Sequence, residues 1–100
     1  MLNIKTDLKG ETIFIAFEGL LDSQTNPKLN AVLEENLCKV REVVFDLANL
    51  EYLTSAGLRS ILKAQQAMEK KNGVMTVRNV PKDIMAIFDS TGFSALLNIE

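Results

Sequence analysis

One hundred residues are enough for one domain around one core. Apolar residues at 47% and charged residues at 24% are an ordinary globular balance, which excludes a disordered chain or a coiled coil. A net charge of −2 and a pI near 5.1 exclude the strongly basic footprint of a direct nucleic-acid binder, although a local basic face stays open.

Histidine is absent. That removes Ser-His-Asp hydrolysis, histidine phosphotransfer and histidine metal ligation together. Cys38 is the one cysteine. It permits neither an intrachain disulfide nor a cysteine-based zinc site, and it fits a reducing cytoplasm. Met1 to Lys5 carries no apolar h-region, so no signal peptide is expected. No apolar run approaches the roughly 20 residues of a membrane span. With no linker, repeat or biased stretch, the expectation is a single domain over residues 1–100.

Leu2, Ile4 and Thr6 alternate with polar neighbours and predict a first strand. Lys9-Gly10 marks a turn. Ile13, Ile15 and Phe17 then alternate with Thr12, Phe14, Ala16 and Glu18, which predicts a second strand, apolar on part of both faces. The two strands should form an antiparallel hairpin. Gly19 to Ser23 reads as a loop. Asn26 suits an N-cap and Pro27 the first helical position. Leu29, Val32, Leu33 and Leu37 follow at helical spacing, with Glu34 and Glu35 on the other side.

Val43 to Leu47 reads as a central parallel strand covered on both faces. Ala48 to Thr54 reads as the loop after it. Leu58, Ile61, Leu62, Gln65 and Met68 form the inward stripe of a second helix, and Arg59, Lys63, Gln66 and Lys70 the outward one. Asn72-Gly73 ends it, since both residues tolerate the left-handed conformation. Val74 to Arg78 is a fourth strand. Pro81 opens a third helix carrying Ile84, Ile87 and Phe88, and Gly92 caps it. Leu96 to Ile99 is a short last strand or an apolar tail. Right-handed crossovers make this an α/β fold with a mixed, mostly parallel sheet covered by helices.

Asp46 to Arg59 is the chemically informative segment: a buried strand, a loop and a helix start, with Thr54 and Ser55 at the expected cap. Helix starts present unpaired N–H groups and the positive end of a dipole. A hydroxyl there serves as a cap, an anion ligand or a phosphorylation site. Local chemistry favours the cap, and Gly57 reads equally well as a close-packing residue.

Tyr52-Leu53-Thr54-Ser55-Ala56-Gly57-Leu58-Arg59 resembles the signature loop of the STAS family, the sulfate transporter and anti-sigma-factor antagonist domains. Gly19-Leu20-Leu21-Asp22 resembles the family's Gly-x-Leu/Val-Asp loop. Asn26-Pro27-x-Leu29 resembles the start of its first helix, and Val43 to Leu47 ends in the usual Asp-Leu. Ile87 to Phe93 resembles its final helix and exit. The resemblance spans nearly the whole chain in order and implies a STAS (SpoIIAA-like) fold.

It further implies a non-catalytic, cytoplasmic anti-sigma-factor antagonist that regulates transcription by switching partners. Ser55 falls at the position phosphorylated by the cognate anti-sigma factor, a serine/threonine kinase of the GHKL ATPase type. A PP2C-type phosphatase is the implied second partner. The expected partner-binding set is Asp22, Thr54, Ser55, Ala56, Gly57, Arg59, Lys63 and Gln66. Many phosphorylated members carry Asp where this chain has Thr54, and Ala56 replaces the usual second serine. Thr54 is therefore the secondary acceptor candidate. No cofactor, metal, nucleic acid or membrane insertion is expected.

Two other classes compete with this one. A phospho-accepting receiver enzyme would use Asp46, at the end of a parallel strand, but needs an acidic cluster after the first strand, where only Asp7 stands. A nucleophilic Ser55 lacks a base, since Lys63 sits on the wrong turn, and no Gly-rich phosphate loop is present. The remaining alternative is a STAS accessory subunit of a lipid or ABC transport complex or a stress-signalling complex, without regulated phosphorylation. Nucleotide binding at the Ser55 loop has only the helix start in its favour.

Overall fold

Alternating apolar residues build the sheet that carries everything else. The computed structural model describes residues 2–100. β1 (Leu2–Lys9) and β2 (Thr12–Leu21) form the antiparallel hairpin, and Gly10, at φ +62°, makes its turn. β3 (Glu42–Leu53), β4 (Val74–Arg78) and β5 (Asn98–Ile99) follow, each parallel to the strand before it. The sheet order is β1-β2-β3-β4-β5. The crossovers are α1 (Asn26–Asn36), α2 (Ser55–Lys70) and α3 (Lys82–Thr91).

Strand order equals chain order, so right-handed crossovers place the three helices on one face. Leu29 and Leu33 of α1, Leu58, Ile61 and Met68 of α2, and Ile84 and Phe88 of α3 join one buried cluster. The sheet supplies Ile13, Ile15, Phe17, Val43, Phe45 and Val77 to it. Phe17 and Phe45 meet edge to face with ring centroids 5.3 Å apart. The expected helical cover on both faces of β3 is corrected. Phe14, Val44 and Thr76 align across the other face, outside that cluster. Val44 is nonetheless only 7% exposed.

The two expected loops before α1 and α2 are largely strand. β2 continues through Leu21 and β3 through Leu53. Register shifts between Ala16 and Glu18, and again between Gly19 and Leu20, explain the error. At such bulges two residues oppose one, so period-two alternation fails. Ala48-Asn49 and Glu51-Tyr52 are accordingly consecutive exposed pairs. Along β3, β4 pairs only with Glu42 to Asp46. Beyond it the sheet continues as β1-β2-β3, with β1 paired as far as Gly19, and only Leu20-Leu21 and Tyr52-Leu53 extend as a two-stranded end.

Two helix details also differ. Thr25, not Asn26, occupies the cap position of α1, with Pro27 in the first turn. On α2, Leu62 and Gln65 are only half-buried, while Gly57, Ser60 and Ala64 fill the buried face. Ser60 Oγ donates to Asn30 Oδ1 of α1 at 2.8 Å, so the helix is turned toward α1. Small residues make that approach, and they carry little hydropathy signal. Among the described residues, no helix is long and apolar enough to cross a membrane.

α2 ends as expected, but by a division of labour. Asn72 alone is left-handed, at φ +58°. Its N–H donates to Glu69 O at 3.1 Å, and the Gly73 N–H donates to Met68 O at 2.7 Å, a Schellman closure. Gly73 is needed for space. A Cβ there would lie 2.6 Å from Met68 Cε and 2.7 Å from Arg41 O. Asn72→Gly should therefore hold or raise the unfolding midpoint, whereas Gly73→Ala should lose about 1–3 kcal/mol of stability in urea unfolding. Equal losses from the two would contradict this division.

Candidate functional site

The site is built where the last residues of β2 and β3 meet the start of α2. The Thr54 N–H donates to Leu21 O at 3.0 Å and stitches the two strand ends together. Thr54 is the cap residue of α2, extended at φ −96° and ψ 174°. Its hydroxyl makes no capping bond and instead lies 3.5 Å from Leu21 O. The first helix bond runs from the Leu58 N–H to Thr54 O at 3.0 Å. Ser55, the first helical residue, is exposed, while Thr54 and Ala56 are half-buried. Its position at the positive end of the helix suits an anion.

Gly57 does not belong with the partner-facing residues. It is buried, and a Cβ there would stand 2.6 Å from Leu53 Cδ1 and 2.8 Å from Leu21 Cγ. The last residues of β2 and β3 press directly on the first turn of α2. Glycine is required by that contact, which leaves Gly57 out of reach of a partner.

Asp22 is half-buried and holds its own loop. Its Oδ1 accepts the Thr25 N–H at 3.0 Å, the Gln24 N–H at 3.0 Å and the Thr25 hydroxyl at 3.1 Å. The bond from the Thr25 N–H, foremost, holds the carboxyl below its ordinary value of 3.8. The Thr25 hydroxyl also lies 2.8 Å from Leu20 O and accepts the Asp22 N–H at 2.9 Å. Asp22 and Ser55 thus flank the Leu21–Thr54 stitch.

Arg59, Lys63 and Gln66 are exposed along one stripe of α2. Lys63 also borders a cleft of about 430 Å³ between α1 and α2, with Leu33, Leu37, Cys38, Ala64 and Ala67. The acids of the receiver reading are not assembled into a pair. Asp46 accepts the Ala48 N–H at 3.0 Å, and Asp7 lies 3.6 Å from Lys9.

Sequence reasoning missed Leu20 and Tyr52. Both fall in segments whose pattern predicts loops, yet they are register partners at the ends of β2 and β3. They stand 36% and 54% exposed. The bulges that broke the alternation concealed them.

Two outcomes follow from this geometry. Gly57→Ala should lower stability by about 1–3 kcal/mol, because overpacking outweighs the roughly 1 kcal/mol gained in helix propensity. A thermal midpoint at or above wild type would contradict the contact. Asp22 has a folded-state value below its unfolded one, so its contribution is present above pH 3.8 and fades as pH falls through the lowered value. Circular-dichroism midpoints should therefore fall more steeply below about pH 4 in wild type than in Asp22→Asn. Parallel curves would remove Asp22 from the loop's stability.

A family model described as the STAS domain matches residues 3–100. The anti-sigma-B factor antagonist of Staphylococcus epidermidis is 28% identical over 99 residues, covering 98% of this chain and 92% of that relative. Among solved structures, an anti-sigma factor antagonist from Mycobacterium paratuberculosis has a TM-score of 0.88 at 18% identity, over 99% of this chain and 85% of that one. The anti-sigma factor antagonist SpoIIAA in its unphosphorylated form has a TM-score of 0.76 at 18% identity, over 87% of this chain and 82% of that one. In its phosphorylated form the TM-score is 0.71 at 17% identity, over 98% and 91%. At such identities the structural likeness establishes the fold, and the family match over nearly the full length carries the assignment: the chain belongs to the STAS-domain family.

Proposed function

We propose that this domain is an anti-sigma-factor antagonist. In this reading it binds a GHKL-type serine/threonine kinase that acts as the anti-sigma factor, and it performs no chemistry itself. Phosphorylation of Ser55 releases it, and a PP2C-type phosphatase resets it. The scheme operates in the cytoplasm, where the kinase finds ATP. The carrying observation is the exposed Ser55 at the first helical position of α2, within a segment that resembles the family's signature loop. Thr54, half-buried with its hydroxyl toward Leu21 O, is the less accessible acceptor.

The charge arithmetic separates fold from interface. Phosphate adds about −1.5 to −2 charges. At the start of α2 the dipole favours that charge by roughly 0.3–1 kcal/mol. Arg59, one helical turn on, adds a nearby cation. The domain therefore keeps its fold. A docked surface that has lost water must desolvate the same charge, and there the balance reverses.

One observation favours the accessory-subunit reading. By the family resemblance, Thr54 stands where many phosphorylated members carry Asp, so the acceptor lacks that acidic neighbour. Both readings are separated by one measurement. Unmodified and Ser55-phosphorylated protein are titrated calorimetrically against each small GHKL-type kinase of the same genome, purified singly. The switch requires tight binding of the unmodified form and at least about a hundredfold loss on phosphorylation, some 2.7 kcal/mol, with matching thermal midpoints. Tight binding by both forms would leave the accessory role.

A further inference from the structure

The sheet has two free edges of unequal length. β5 offers Asn98 and Ile99, whereas β1 offers Leu2 to Lys9, with β2 as its one neighbour among the described residues. The two-residue turn at Gly10 closes on a hydrogen-bonded Lys9–Thr12 pair. Pairs alternate along an antiparallel ladder, so Asn3, Lys5, Asp7 and Lys9 bond to β2, and Ile4, Thr6 and Leu8 turn their backbone groups to the open edge. Leu2 O belongs to the same open row, and the Lys28 ammonium donates to it at 2.8 Å. The unfilled row therefore runs over Ile4, Thr6 and Leu8. By register with Phe17, Ile15 and Ile13, their side chains lie on the helix face, where Thr6 and Leu8 are exposed, Leu8 to 51%. Lys5, Asp7 and Lys9 stand exposed on the opposite face.

We infer that this edge pairs with the same edge of a second copy of the chain, antiparallel about a two-fold axis through Thr6, so that two domains share one continuous sheet. With Thr6 opposite its own counterpart, Asn3 to Lys9 overlap along their whole length. Lys5 then stands opposite the partner's Asp7, and Asp7 opposite the partner's Lys5. Facing opposite charges and a facing threonine pair are both favourable across strands. On the helix face Ile4 meets the partner's Leu8, and Leu8 the partner's Ile4, which covers both exposed leucines. Lys9 faces the partner's Asn3. Each open backbone group of Ile4, Thr6 and Leu8 finds a partner in this register, and Leu2, whose carbonyl Lys28 already holds, lies outside it.

The order of charges commits the edge to this occupant and this register. An axis through Lys5 or Asp7 sets that residue against its own like charge, which destabilises the pair. An axis through Ile4 carries Asp7 past the start of the partner's strand. An axis through Leu8 opposes Asp7 to Lys9, but it overlaps only the end of β1, because the chain turns into β2 at Gly10. The Thr6 register alone opposes unlike charges over the length of the strand. Lysines on an edge ordinarily hold other strands off. Here Asp7, between Lys5 and Lys9, reverses that repulsion for one symmetric arrangement. In the single chain Asp7 lies 3.6 Å from Lys9, both well exposed, and such a pair is weak enough to yield Asp7 to the partner's Lys5. The pairing uses no residue of the Ser55 site, so it stands apart from the antagonist reading.

Sedimentation equilibrium of the full chain, from about 10 μM to about 1 mM, should show the mass rising from 11.1 kDa toward twice that value. Lys5→Asp and Asp7→Lys each oppose like charges, so each variant alone should associate at least about tenfold more weakly. Mixed in equal amounts, the two should associate again, because every facing charge is then unlike. In a Cys38→Ser background, Thr6→Cys should form an intermolecular disulfide on mild oxidation, since facing hydrogen-bonded residues stand about 5.5 Å apart at Cα. Leu8→Cys should not, since its counterpart lies about 13 Å away along the strand. Thermal midpoints check that each variant is folded. A mass that stays at 11.1 kDa throughout makes the lysines a guard against pairing and overturns the inference. A dimer unmoved by either single charge reversal overturns it as well, because another surface then holds the copies. Cross-linking by Leu8→Cys in place of Thr6→Cys overturns the register.

Discussion

The contact between the strand ends and the first turn of α2 sets the geometry of everything functional here. Leu21 and Leu53 press against Gly57 so closely that no side chain fits between them. The Thr54 N–H to Leu21 O bond locks the same junction through the backbone. The helix start is clamped from below, and Ser55 is left exposed. Its exposure is therefore a consequence of core packing and does not depend on the loop alone.

Stability and recognition are assigned to different neighbours within a few residues. Asp22 and Thr25 bond mainly to each other and to adjacent backbone, and Leu21, Leu53 and Gly57 are buried. Leu20, Tyr52 and Ser55 face outward from that frame. Alternating along the strands, residues that hold the structure sit next to residues that meet the outside. A modification at Ser55 can thus act on contacts with other molecules without being transmitted into the core.

Much of this was legible in the amino-acid pattern. Period-two runs located β1 and β2, a short β-branched and aromatic run located β3, and helical spacing located the apolar stripe of α1. Gly92, at φ +80°, ends α3 where the glycine signal placed it. The illegible parts share a cause. Bulges at Ala16/Glu18 and Gly19/Leu20 interrupt alternation, so strand was read as loop and the Leu20–Tyr52 pair went unseen. Ser60 and Ala64 are buried because they are small, and size leaves no periodic hydrophobic trace. Gly57 and Gly73 are glycines for lack of room, a property of two distant segments meeting. Single-sided cover of β3 follows from strand order, which no local window contains.

That single-sided cover leaves the other sheet surface without helices, and an aromatic ring on it, Phe14, is guarded. The Lys9 ammonium lies 5.7 Å and the Arg78 guanidinium 5.5 Å from the ring centroid. A second sheet stacking here would have to approach to about 10 Å and strip hydration from both cations. The arrangement thus keeps an uncovered layer from completing a sandwich with a stray neighbour. Replacing either cation with an aliphatic residue would turn a water-facing surface into an adhesive one.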